Sequence, residues 1–153
     1  MNDLSELQGM IRREDWQPIT TIEETDLQIS YPWQFVTEIV GDWKILELLA
    51  KGEWDCLGDA VKPCGADGHP DLFFPEARLI LPACAPGTLI GKFGGSAAAR
   101  TGDSTAFAIG SQCVIAMPDK KSAQLLIGVN GALPRARLTL QTLRLEISGV
   151  DQL

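Results

Sequence analysis

Apolar runs in this chain stop before they are long enough to stand as helices, and the residues that stop them are turn formers. The pattern is sharpest in 82–96, where Pro86-Gly87 and Gly94-Gly95 bracket the run Thr88-Leu89-Ile90-Gly91-Lys92-Phe93. A run of that length between such turns suits a buried strand. The same punctuation continues downstream. Residues 105–109 and 112–117 predict consecutive strands around Gly110-Ser111, read as a tight turn. Pro118-Asp119-Lys120-Lys121 is a further turn. In 123–129, Ala123, Leu125, Ile127 and Val129 fall on one face and Leu126 on the other, which predicts an inner strand. Leu138 and Leu140 alternate, Gln141-Thr142 breaks step, and Leu143, Leu145 and Ile147 alternate again. A β-bulge near Gln141 would keep both halves on the core side.

Upstream the signals are mixed. Residues 3–16 predict a short helix with Asn2 or Asp3 as cap and Leu4, Leu7 and Ile11 on one side, ended by Gln17-Pro18. The alternative is a loosely docked irregular extension. Residues 19–29 predict a first strand interrupted by the acidic turn 23–26, 33–37 a second, and 79–81 a third that Pro82 ends. Tyr31, Trp33, Phe35 and Trp43 are expected in a core, with a sugar-stacking platform as the alternative. Within 43–52, Ile45-Leu46-Glu47-Leu48-Leu49-Ala50 has helix formers and Gly52 sits where a helix would end. A strand is expected there nonetheless, because the segment is short and its flanks read as β.

The chain has 153 residues, enough for one domain with a sizeable core. The expected division is an N-terminal extension at 1–18, a β-sandwich at 19–149 and a tail at 150–153. A net charge of −7 argues against nucleic acid or an anionic membrane surface as partner. No segment approaches a bilayer-spanning length, and the N-terminus lacks the basic and apolar regions of a signal peptide, so a cytoplasmic location is expected. In that setting Cys56, Cys64, Cys84 and Cys113 are expected as buried free thiols; a bridge among Cys56, Cys64 and Cys84 is the alternative. The long loop 55–74, rich in Gly, Pro and Asp, is the segment expected to carry a site.

A series of short motifs runs in order along the chain: Gly41-Asp42, Gly52-Glu53-Trp54, Cys64-Gly65-Ala66-Asp67-Gly68, the stretch 82–96, Phe107-Ala108-Ile109-Gly110 and Gly128-Val129-Asn130. Over roughly residues 30–148 this series resembles the PA-I-type galactophilic lectin family of bacteria. The resemblance implies an all-β, jelly-roll-like sandwich that binds a saccharide through a bound calcium. It places a sugar-contacting histidine at His69, beside Asp67 and Asp71, and puts Asn130 at the first position of the family's Asn-Asp pair. The calcium ligands are not matched. Gly131 stands where the metal-binding Asp belongs, Leu138 and Thr139 replace paired Asn ligands, and Leu72 replaces a polar sugar contact. Arg135 and Arg137 bring positive charge to the place of the dication, which opposes its binding. No cofactor is therefore expected, and the expected ligand-binding residues are His69, Asp67, Asp71, Asn130 and Arg135.

Other chemistries read more weakly. Arg135 and Arg137 suit an acidic sugar or a carboxylate. Cys56, Cys64, His69 and Cys84 are zinc-ligand types but lack close C-x-x-C pairs. No Walker loop, G-x-S-x-G elbow or H-E-x-x-H helix is present, and no enzyme is expected. The sequence thus leaves two functions: a lectin-like carbohydrate binder with altered or metal-independent recognition, and a module that kept the fold for protein interaction or self-association.

Overall fold

The computed structural model describes residues 13–24, 33–54, 64–69, 79–96, 98, 105–118, 121–131 and 143–152. Among them the chain is all-β. A 3-10 turn at Arg13–Asp15 precedes β1 (Gln17–Glu24), β2 (Gln34–Val40), β3 (Ile45–Lys51), β4 (Leu89–Phe93), β5 (Ala106–Ala108), β6 (Gln112–Ala116), β7 (Ser122–Val129) and β8 (Leu143–Val150). They form two four-stranded sheets, ordered β1-β8-β3-β6 and β2-β7-β4-β5. Every pairing is antiparallel.

One apolar cluster joins the sheets face to face. Leu46, Leu48 and Ala50 of β3 and Leu143, Leu145 and Ile147 of β8 come from one sheet. Ile39 of β2, Leu89 of β4, Phe107 of β5 and Ala123, Leu125, Ile127 and Val129 of β7 come from the other. The period-2 alternation of β7 and β8 puts these residues on one face of each sheet, as the arrangement of a sandwich requires. The inner-strand reading of 123–129 therefore holds, and so does the alternation from Leu143 onward.

β3 resolves the conflict between local propensity and context in favour of a strand. It pairs with β6 on one side and β8 on the other. Leu46 and Leu48 are fully buried toward the core, while Ile45 joins Trp16 and Val150 in a second cluster on the sheet's outer face. The segment is buried on both faces, Glu47 included, as the centre of a sheet demands, and cross-strand packing outweighs helix propensity of a few tenths of a kcal/mol per residue, roughly.

Three expectations are corrected. Glu23 and Glu24 continue β1 rather than turning, and the strand begins earlier, at Gln17. Pro18 is tolerated because β1 lies at the edge of its sheet, and the register shifts between Pro18 and Thr20. Gly110-Ser111 does not close a hairpin: β5 pairs with β4 and β6 with β3, so this turn carries the chain from one sheet to the other. Residues 79–81 are not a strand, for a reason set by Asn130 and given below. The expected helix at 3–16 lies outside the described residues except for its last part, where Arg13–Asp15 is the 3-10 turn and Trp16 is buried. The expected bulge near Gln141 lies outside them as well. No helix among the described residues is long and apolar enough to cross a membrane.

Trp33 is buried on the outer face of the β2-β7-β4-β5 sheet with Ile90 and Leu126. The Lys92 ammonium lies 5.0 Å from its ring centroid and donates to the Ser96 carbonyl at 2.8 Å. Phe35 is instead half exposed. Tyr31 lies outside the described residues.

Candidate functional site

At the end of the sandwich where β4 begins and β7 ends, residues 64–69, 79–88 and 130–131 meet. The contact is made by backbone. Trp54 and Cys64 exchange two N–H to C=O bonds at 3.0 Å, and the Leu89 N–H donates to the Ala66 carbonyl at 2.9 Å. The His69 N–H donates to the Pro86 carbonyl at 2.7 Å. Gly68 permits this approach: its φ is 75°, and a Cβ built there would lie 2.5 Å from the Pro86 oxygen and 2.7 Å from the Thr88 nitrogen. Only glycine fits both the space and the left-handed backbone. Buried Trp54 donates its indole N–H to the Gly87 carbonyl at 2.7 Å.

Asp67 is exposed at the rim of this cluster, and its Oδ1 accepts the Ser111 N–H at 2.8 Å. The carboxylate thereby holds the turn between β5 and β6. Its backbone bridges to Thr88, whose hydroxyl donates to the Ala85 carbonyl at 2.7 Å. His69 follows, partly exposed. Asp67 and His69 are thus brought together on one strapped segment, whereas Asp71 and Arg135 lie outside the described residues.

Asn130 is placed differently. It is fully buried, and its side chain faces the 80–85 loop. Oδ1 accepts the N–H groups of Ile80 at 2.9 Å and Leu81 at 3.0 Å. Nδ2 faces the carbonyls of Leu81 at 2.9 Å, Cys84 at 3.2 Å and Ala85 at 3.3 Å, sharing two protons among three acceptors. Its backbone N–H donates to Thr88, and its carbonyl accepts from Gly87. A side chain so engaged organises the loop and leaves no polar atom for a ligand. The same bonds explain why 79–81 is no strand, since the Ile80 and Leu81 donors that a ladder would use are taken. Gly131, beyond it, has a φ of 81° and supplies no carboxylate.

Cys64, Cys84 and Cys113 are in no disulfide, so no bridge joins Cys64 to Cys84. The Cys64 thiol contacts the Gly87 carbonyl at 3.8 Å. Burial pushes the Cys84 thiol upward and the Cys113 thiol to about 11, which disfavours the thiolate that a nucleophile or a metal ligand requires. Cys56 lies outside the described residues. Among those described, no three His, Cys, Asp or Glu side chains gather as a metal site.

Sequence reasoning quoted Trp54, Pro86 and Thr88 within its motifs without giving them a part at this end. The one signal pointing to them is the pair Pro86-Gly87, whose carbonyls accept from His69 and Trp54. No protein-family model matches the chain, and neither does any curated protein or solved structure.

Proposed function

We propose that this chain is a non-catalytic, lectin-like carbohydrate-binding protein of jelly-roll type that recognises its saccharide without calcium, at the end carrying His69 and Asp67. The observation that carries the reading is the clamp of residues 64–69 on 84–88. The His69 N–H is held on Pro86 and Gly68 is pressed against Thr88, so two polar side chains are presented from a fixed backbone. Such preorganisation lowers the ordering cost of binding a weakly held sugar. The order of motifs along the chain supports the same reading. His69, Asp67, Asp71 and Arg135 are the proposed ligand contacts, and Asn130 holds the 80–85 loop. Gly131, Leu138 and Thr139 supply no side-chain carboxylate for a dication.

A second reading, a module for protein interaction or self-association, is favoured by one observation. The exposed large hydrophobic residues among those described, Phe35 at 50% and Val40 at 62%, both lie on β2.

Glycan-array binding of the purified chain in calcium buffer and again with a chelator separates these readings. The expected result is binding that survives chelation and falls roughly tenfold in His69→Ala, the loss of about one hydrogen bond to the ligand. Binding abolished by the chelator would refute the metal-free site. Silence in both buffers from folded protein would favour the interaction module.

A further inference from the structure

Asn130 is followed by Gly131, the pairing in which an asparagine amide lies most open to the next backbone nitrogen, because glycine has no Cβ to crowd the approach. We propose that Asn130-Gly131 is a deamidation site which the fold holds shut, and that its conversion to a carboxylate permanently releases the 80–85 loop. The site is the buried amide described above and owes nothing to the ligand read at the His69 end.

The reaction needs only water. The Gly131 nitrogen gives up its proton to hydroxide and bonds to Asn130 Cγ. The Cγ–Nδ2 bond breaks, and Nδ2 takes a proton from water and leaves as ammonia. Water then opens the succinimide at either carbonyl carbon, giving aspartate or isoaspartate, with nothing oxidised or reduced.

The folded chain opposes the first step in three ways. Asn130 is fully buried and Gly131 is buried beside it, which keeps hydroxide and water from both. Hydrogen bonds to a planar amide are best made near its plane, and attack turns Cγ tetrahedral. The bonds that Oδ1 accepts from Ile80 and Leu81, and those that Nδ2 makes to Leu81, Cys84 and Ala85, must therefore be bent or lost together. The partners of Nδ2 are all carbonyls, which cannot supply the proton that departing ammonia requires. The two N–H groups at Oδ1 would steady the negative charge that attack develops there, but none develops until base reaches Gly131.

Once converted, residue 130 cannot close the loop again. A carboxylate only accepts, so the oxygen standing in for Nδ2 would face the carbonyls of Leu81, Cys84 and Ala85 with no proton to share. Isoaspartate also lengthens the main chain at the residue whose N–H and carbonyl bond Thr88 and Gly87. The released loop would carry Ile80 and Leu81 away from Trp33, Ile90 and Leu126.

The test ages the full chain in heavy-oxygen water at mildly alkaline pH, folded and in denaturant, and reads label in the peptide containing Asn130 by mass spectrometry. Conversion should be at least about a hundredfold slower in the folded chain, since it draws only on the small open population. In denaturant Gly131→Ala should slow it, where no folded structure can account for the change. Aged chains are then returned to native buffer, converted ones are separated by their added negative charge, and hydrogen exchange is followed. The amides of Ile80, Leu81 and Cys84 should exchange at least about tenfold faster than in unconverted chains of the same incubation, while those of β7 and β8 stay protected. Converted chains that fail to refold, beside an Asn130→Ala chain that folds, would support the same conclusion, the carboxylate being rejected outright. Comparable rates in folded and denatured chains, native protection at 80–84 after conversion, or failure of both converted and Asn130→Ala chains to fold would each overturn the proposal.

Discussion

The two ends of the sandwich handle polar groups in opposite ways. Where β4 begins and β7 ends, the polar groups of three chain segments satisfy one another, and the Asn130 amide alone engages two N–H groups and three carbonyls. At the far end Glu38, Ser122 and Gln124 are exposed around a cavity. The comparison teaches where stability and recognition separate. Groups that bind each other hold the fold, whereas groups left to water are available to a ligand. At the His69 end the available groups are therefore the few that project beyond the clamp, not the buried ones.

The largest expected effect tests the closed end. Asn130→Ala strips two half-buried N–H donors and three carbonyl acceptors of their partner, and should lower unfolding stability by about 3 kcal/mol in denaturant melts, softened by water entering the loop. A loss below about 0.5 kcal/mol would show that the 80–85 loop is held by something else. Next comes Gly68→Ala, which forces a side chain into a left-handed backbone and against the Pro86 oxygen. A loss of roughly 2 kcal/mol is expected, and under the proposed function sugar binding at the His69 end should fall alongside because the clamp must open.

How far the sequence foretold this arrangement differs by element. The strands of the core were legible because their alternation is a local property: β7 and β8 announce their buried faces residue by residue. β3 was legible only through its flanks, since its own residues favour a helix and burial on both faces decides otherwise. The crossover at Gly110-Ser111 was hidden because a turn's residues state that the chain bends, not which strand it meets next. Asn130 was hidden for a related reason. Its position marked it as a ligand contact in the resemblance, but whether an amide faces a ligand or a loop depends on partners 45 to 50 residues away in sequence. Asp67 was singled out for a ligand, and its structural bond to Ser111 spans a similar separation.

A smaller effect is predicted for Cys113, on β6 between the two ends. Its thiol titrates near 11 instead of 9.0 because burial penalises the thiolate. The folded state therefore favours the protonated form, and the stability this contributes is fully present below about pH 9 and lost as pH rises toward 11. Alkylation by iodoacetamide at pH 8 should be slower for Cys113 in the folded chain than after denaturation. Equal rates would mean that the β6 edge opens readily.

The smallest effect is expected at the open end, and it turns the contrast into a quantitative claim. Glu38 is exposed and makes no ion pair among the described residues, so Glu38→Gln should change stability by no more than about 0.5 kcal/mol. β7 carries both ends on its eight residues, which at about 3.4 Å per residue separate Ser122 from Val129 by roughly 24 Å. Sites that far apart, sharing no partner, contribute independently, and the double variant Asn130→Ala with Glu38→Gln should match the sum of the single variants within about 0.5 kcal/mol. Agreement would mean that the core between the ends behaves as a rigid spacer. A larger discrepancy would show that strain at the Asn130 loop is transmitted along β7 to the cavity wall at Gln124, and the two ends would then have to be treated as coupled.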